Sequence, residues 1–160
     1  MRAKLLVLFV GAFLTVGLSG LAGAAGAPDP VVGTWTLNLA KSKFSPGPAP
    51  KSSTRTYVQT AQGLSMTVKG VAADGSPISI QTTFQYDGKD YPYTGSPIFD
   101  SLSLKRVNGT TVKSTLKKDG KAVGTTTRTL SADGKVLTLS TQATDPKGVH
   151  HDEVSVYDRQ

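Results

Sequence analysis

Beyond residue 30 the chain alternates apolar and polar side chains with a period of two. Trp35, Leu37 and Leu39 interleave with Thr34, Thr36 and Asn38, and Leu64, Met66 and Val68 with Ser65, Thr67 and Lys69. Ile78 and Ile80 repeat the pattern, with Phe84 continuing their face, and so do Leu102 and Leu104, Val112 and Leu116, and Leu137 and Leu139. Val154 and Val156 alternate with Glu153, Ser155 and Tyr157. Successive side chains on a strand point to opposite faces, so each run gives one apolar and one polar face. No apolar stripe with helical period occurs. The frequent Thr suits a half-buried pleated surface. Strands are predicted over 31–40, 53–61, 64–71, 77–86, 98–107, 110–118, 121–131, 135–144 and 149–158, with a short one over 89–93.

Turn chemistry separates these runs. Asp74-Gly75, Asp87-Gly88, Asn108-Gly109, Asp119-Gly120 and Asp133-Gly134 are hairpin dipeptides, because Gly takes positive φ freely and Asx tolerates it. Single-strand spacing between them predicts an antiparallel meander. An open sheet of that many strands would expose long edges, which closure into an up-and-down barrel removes. A Greek-key sandwich needs long crossovers. The irregular links are Ser45-Pro-Gly-Pro-Ala-Pro50 and Tyr91-Pro-Tyr-Thr-Gly-Ser-Pro97. The expected fold is therefore all-β, an antiparallel meander closed into a barrel of eight to ten strands.

The N-terminus has a different pattern. Met1-Arg-Ala-Lys4 is basic, Leu5 to Leu18 is apolar, and Ser19 to Ala27 is rich in small residues. That is the layout of a secretory signal peptide. Pro28 disfavours a cut after Ala27, which leaves Ala24 or Ala25 as the preferred sites. The competing reading, an uncleaved anchor, fits less well with the Gly/Ala-rich end. Residues 1–25 are thus read as the signal and 26–160 as one domain, delivered to the periplasm or outside the cell. Cleavage takes Arg2 and Lys4 away and lowers the formal charge from +7 to +5.

Composition narrows the chemistry. The absence of Cys rules out a disulfide scaffold, a cysteine-ligated zinc site and a thiol nucleophile. No Gly-x-Ser-x-Gly elbow or phosphate loop occurs, so no catalytic residue and no cofactor is assigned and the protein reads as a non-enzyme. His150-His151-Asp152 does not make a metal site, since adjacent strand residues face opposite ways and His150 with Asp152 supplies only two ligands. It reads as a solvated strand start. Lys113, Lys117, Lys118 and Lys121 around one hairpin, and Lys41, Lys43 and Lys51 beside the Pro-rich link, lack the interleaved aromatics of a nucleic-acid surface. They predict a soluble monomer with guarded edges and weak attraction to an anionic envelope.

Gly33-Thr-Trp-Thr-Leu-Asn38, Ser42-Lys-Phe44, Asp87-Gly-Lys-Asp-Tyr-Pro92, Ser131-Ala-Asp-Gly-Lys135 and the closing Val156-Tyr157-Asp158-Arg159 resemble secreted bacterial lipocalin-like proteins of the calycin superfamily. The resemblance covers about 30–159 and implies a lipocalin-like barrel. Fatty-acid-binding relatives carry two short helices after the first strand, where this chain has a Pro-rich link. They also carry an Arg two residues before the last-strand Tyr, where this chain has Ser155. The lipocalin Thr-Asp-Tyr motif is absent too, so no carboxylate clamp carries over.

After residue 25, Ile, Leu, Val and Phe make up only 27 of 135 residues. That is lean for a filled barrel and predicts partly polar inward positions around a small-ligand cavity. The candidate lining residues are Trp35, Tyr57, Phe84 and Tyr86, with Arg106 on the face of Leu102 and Leu104, and Arg128 on the face of Leu130. An inward cation would pair with an anionic head group. The competing reading for each Arg is a rim position or stacking over Trp35. Trp35 itself reads first as packing at the barrel base. The expected function is an exported carrier of an apolar or amphiphilic small molecule. The rival is an envelope structural or protein-interaction domain with a filled barrel.

Overall fold

The computed structural model describes residues 27–160, so the expected signal segment lies outside the described residues. Eleven strands make one antiparallel sheet: β1 (Gly33–Leu37), β2 (Lys43–Ser45), β3 (Ser52–Thr60), β4 (Gly63–Val71), β5 (Pro77–Phe84), β6 (Asp87–Pro92), β7 (Ser101–Arg106), β8 (Thr111–Lys118), β9 (Lys121–Leu130), β10 (Val136–Thr144) and β11 (His150–Arg159). Ten of them run in the order β5-β4-β3-β1-β11-β10-β9-β8-β7-β6, and the short β2 adds to β11. This is the expected meander, wound into a nearly closed barrel. Pairing of the first and last strands, with Trp35 opposite Arg159 and Leu37 opposite Tyr157, brings the two ends of the meander together.

The ring narrows to a seam between β5 and β6. Only Gln81 and Thr94 bridge it, through two backbone hydrogen bonds of 3.2 and 3.0 Å. The Thr82 hydroxyl adds a bond of 2.7 Å to the Pro92 carbonyl. Here the sequence expectation fails. Asp87-Gly88 does not turn a β5–β6 hairpin; it opens β6, whose register on β7 slips between Asp87 and Asp90. A bulge of this kind kinks the strand that carries it. The other four Asx-Gly pairs lie between ladder neighbours. Asx side chains hold several turns, as where Asn108 Oδ1 accepts from Thr110 N at 3.0 Å and Thr111 N at 2.8 Å.

Inside, the expected faces hold on most strands. Leu64, Met66, Val68, Phe84, Leu102, Leu104, Val112, Leu116, Leu137 and Leu139 are all buried in one cluster. Three local expectations are corrected. β1 stops at Leu37, and Leu39 sits 44% exposed in a 3-10 turn, Leu39–Lys41, capped by Asn38. The short β2, Lys43–Ser45, leads into the Pro-rich link where no strand is expected. On β11, Tyr157 belongs to the inner cluster and Val156 does not, although Val156 is buried. Residues 38–45 extend the β1 edge of β11: Asn38 N donates to Val156 O at 2.8 Å, Val156 N donates to Ser42 Oγ at 2.9 Å, and β2 pairs with Asp152, Glu153 and Val154. With buried residues on both faces, alternation cannot tell inside from outside.

One end of the barrel is plugged. Residues 29–32 cross it, Val31 and Trp35 are buried, and Trp35 Nε1 donates to Val31 O at 2.9 Å. The Arg159 guanidinium lies 4.2 Å from the Trp35 ring centre. It donates to Gly134 O at 2.7 Å, Val32 O at 2.9 Å and Pro30 O at 2.6 Å. Gly33, at φ +137°, leaves the space this needs, since a Cβ there would meet Arg159 Nη1 at 2.8 Å. The Gly-x-Trp motif thus packs the plug.

The seam depends on Gly95, whose φ is +91° and whose added Cβ would collide with the Ser79 carbonyl oxygen. Gly95→Ala is expected to break the Gln81–Thr94 bridge and cost about 1–3 kcal/mol. Hydrogen exchange at the Gln81 and Thr94 amides should accelerate while the β10–β11 amides stay protected.

Candidate functional site

Above the plug the barrel encloses a cavity of about 420 Å³, within the range of small-molecule sites. Its walls come from the inner faces of the strands. Its far end is framed by the Pro-rich link (Phe44, Pro48, Pro50), the β4–β5 turn (Ala72, Ala73) and residues 95–99. Apolar side chains dominate the lining, but Ser53, Thr82, Ser114, Thr126, Thr141 and Ser155 interrupt it.

Two arginines project into this space. Arg55 comes from β3, two residues before Tyr57 on the same face. Its Nη1 approaches Tyr57 Oη at 3.3 Å and Met66 Sδ at 3.0 Å. Its guanidinium carbon lies 5.3 Å from the Tyr157 ring centre. Its Nε is buried with no hydrogen-bond partner. Arg128 comes from β9 and is buried. Its Nη2 donates to Tyr86 Oη at 2.5 Å, and its guanidinium carbon is 5.3 Å from the Tyr57 ring centre. Among the described residues neither has a carboxylate within ion-pairing distance.

Burying a cation without a counter-charge is costly. Phenolic oxygens and ring faces offset part of that cost here. The same field acts on the phenols. Burial pushes the Tyr57 hydroxyl up, but Arg55 and Arg128 outweigh it and hold it below the usual tyrosine value. Burial pushes Tyr93 up to about 12, although Arg55 opposes the shift.

Of the residues expected to line the cavity, Tyr57, Phe84 and Arg128 border it. Trp35, Tyr86 and Arg106 do not; they belong to the plugged end. Trp35 carries Arg159, not Arg106 or Arg128, on its ring. Arg106 stacks 4.3 Å from the Tyr86 ring centre and pairs with the nearly buried Asp29 carboxylate. The Leu102–Leu104 face runs past the cavity floor before it reaches Arg106, and so a shared face does not mean a shared depth. Sequence reasoning overlooked Arg55, although Tyr57 two residues on marks its face.

The solvated strand start expected at His150-His151-Asp152 does not hold for His151. His150 is exposed, but His151 faces the cavity, as does Glu153. His151 Nε2 lies 3.5 Å from Asp145 Oδ2, and Nδ1 lies 3.9 Å from Glu153 Oε1. The 3.5 Å contact is not an aligned hydrogen bond, and Nε2 has no hydrogen-bond partner. Burial raises the Glu153 carboxyl above the usual value, with His151 opposing the shift. The described residues hold no cluster of three or more His, Cys, Asp or Glu suited to a metal.

A scan against protein-family models finds no match, and a search of curated proteins finds none.

The placement of these charges leads to three predictions. Arg55→Met should raise the stability of the ligand-free protein by about 1–3 kcal/mol, because an apolar side chain replaces an incompletely partnered buried cation. Arg159→Met should lower it by about 2–4 kcal/mol, because it strands three carbonyls and uncovers Trp35. Urea unfolding of both variants checks the opposite signs. At Asp29, burial raises the carboxyl, but the Val31 amide, Tyr86 and Arg106 outweigh it and hold the group below 3.8. A depressed folded-state value gives stability that is present above the unfolded value and lost as the pH falls through the folded one. The destabilisation by Asp29→Asn should therefore shrink as the pH drops below about 4.

Proposed function

We propose that this protein is an exported, non-enzymatic carrier that holds one amphiphilic small molecule, its anionic head toward Arg55 and Arg128 and its apolar body along the barrel wall. The observation that carries this reading is the pair of cavity-lining guanidinium groups with no carboxylate partner in a largely apolar chamber. Binding would bury apolar surface in a preformed site. The head group would supply the counter-charge that the fold withholds. A lipocalin-like kinship accords with the nearly closed meander, and export with the basic, apolar and small-residue layout of the N-terminus. The open interior volume favours a carrier over a barrel filled by its own side chains.

Isothermal titration with dodecanoate and the neutral dodecanol tests the reading. Dodecanoate should bind at least about tenfold tighter, and Arg128→Met should remove that preference, as expected for loss of a charge-assisted contact. Equal affinity for the two probes, or no binding of either, would sink it.

A further inference from the structure

The two ends of the cavity differ in chemistry, and the difference runs along one strand. The inner face of β11 presents Tyr157, Ser155, Glu153 and His151 in steps of two. Tyr157 stands beside Arg55. Four residues away, Glu153 pairs in register with Phe44 of β2 and Thr141 of β10. His151 sits opposite Ala143, whose small side chain leaves it room. Among the described residues only two buried side-chain nitrogen or oxygen atoms lack a hydrogen-bond partner: Arg55 Nε and His151 Nε2. Both residues line the cavity, one in the cationic half and one in the acidic half.

Each orphan has a neighbour that restricts what can satisfy it. Near Arg55 no carboxylate stands, so the missing partner is an acceptor, best an anion. Near His151 stand two carboxylates. Asp145 is already used by the β10–β11 turn, where its Oδ1 accepts from Lys147 N at 2.9 Å and Val149 N at 2.8 Å. Its Oδ2 faces His151. Among the described residues Glu153 accepts no hydrogen bond and meets only His151, at 3.9 Å. A second anionic group there would be repelled by Asp145 and Glu153. A hydroxyl or amine would instead donate to Glu153 and satisfy a half-buried acceptor.

We infer that the ligand is polar at both ends: an elongated molecule with an anionic head at Arg55 and Arg128, an apolar middle, and a hydrogen-bond-donating group that docks on Glu153 and His151. This rests on the carrier reading above and names its ligand class. Four residues of strand advance about 13 Å, a span that roughly twelve saturated carbons cover. Head and tail therefore reach their partners together. Glu153 and His151 set which tail is accepted.

Titration of the full-length protein with dodecanoate, ω-hydroxydodecanoate and dodecanedioate separates the two readings. The hydroxy acid should bind about five- to tenfold tighter than dodecanoate, the gain of one buried hydrogen bond. The diacid should bind more weakly than dodecanoate. In Glu153→Ala the preference for the hydroxy acid should fall to near unity. In the more conservative Glu153→Gln the diacid should gain affinity, because a repelling charge is gone. Dodecanoate binding with no preference for the hydroxy acid, or a preference that survives in Glu153→Ala, overturns this inference alone. Failure of dodecanoate to bind overturns it together with the carrier reading.

Discussion

The Arg159 guanidinium on the face of Trp35 is the contact that closes this barrel. It reaches four parts of the chain at once: Trp35 on β1, its own strand β11, the crossing segment through Pro30 and Val32, and the β9–β10 turn through Gly134. The first and last strands are neighbours in the sheet only because they pair at this end. A cation with three carbonyl acceptors and a ring face is fully provided for. With the plug in place, the volume above it is blind at one end, and anything that enters must stop at Tyr57 and Arg128.

Arg55 and Arg128 use the same side chain to opposite effect. They are held by phenols, a thioether and ring faces, and they lack counter-ions. A barrel core could bury apolar residues at these positions at lower cost. Stability is spent where a ligand would return it, a common trade at binding sites. The polar residues around them follow the same logic: Ser and Thr hydroxyls on an inner face keep a cavity hydrated and adaptable where Leu or Ile would fill it.

The seam and the capping link would suit a barrel that admits a ligand, as the proposed carrier does. Between β5 and β6 one bridge replaces a full ladder, and the bulge at Asp87–Asp90 explains why. At the open end the Pro-rich link contributes Phe44, Pro48 and Pro50 to the cavity, so the segment that looks like a spacer in the sequence is part of the wall. β2 pins it to β11 next to Glu153. The segment from β2 through the link therefore forms both part of the edge of β11 and part of the chamber wall.

Period-two alternation and Asx-Gly turns were enough to determine an all-β meander, because both are local: a strand needs two faces, and a hairpin needs residues that tolerate positive φ. They also pointed to Tyr57, Phe84 and Arg128, each on a strand with one dry face, and these three border the cavity. Alternation says nothing of depth along the barrel axis, and so Arg106 and Tyr86 fell into the plug while Arg55, unmarked beside Tyr57, fell into the cavity. Nor does it choose between faces when both carry buried residues, as on β11, where Val156 is buried as well as Tyr157 but only Tyr157 joins the inner cluster. Those outcomes depend on register between strands far apart in sequence and on what packs over them. Only the tertiary structure decides these, because the pairing of β1 with β11 and the fold-back of the link are long-range contacts with no local signature.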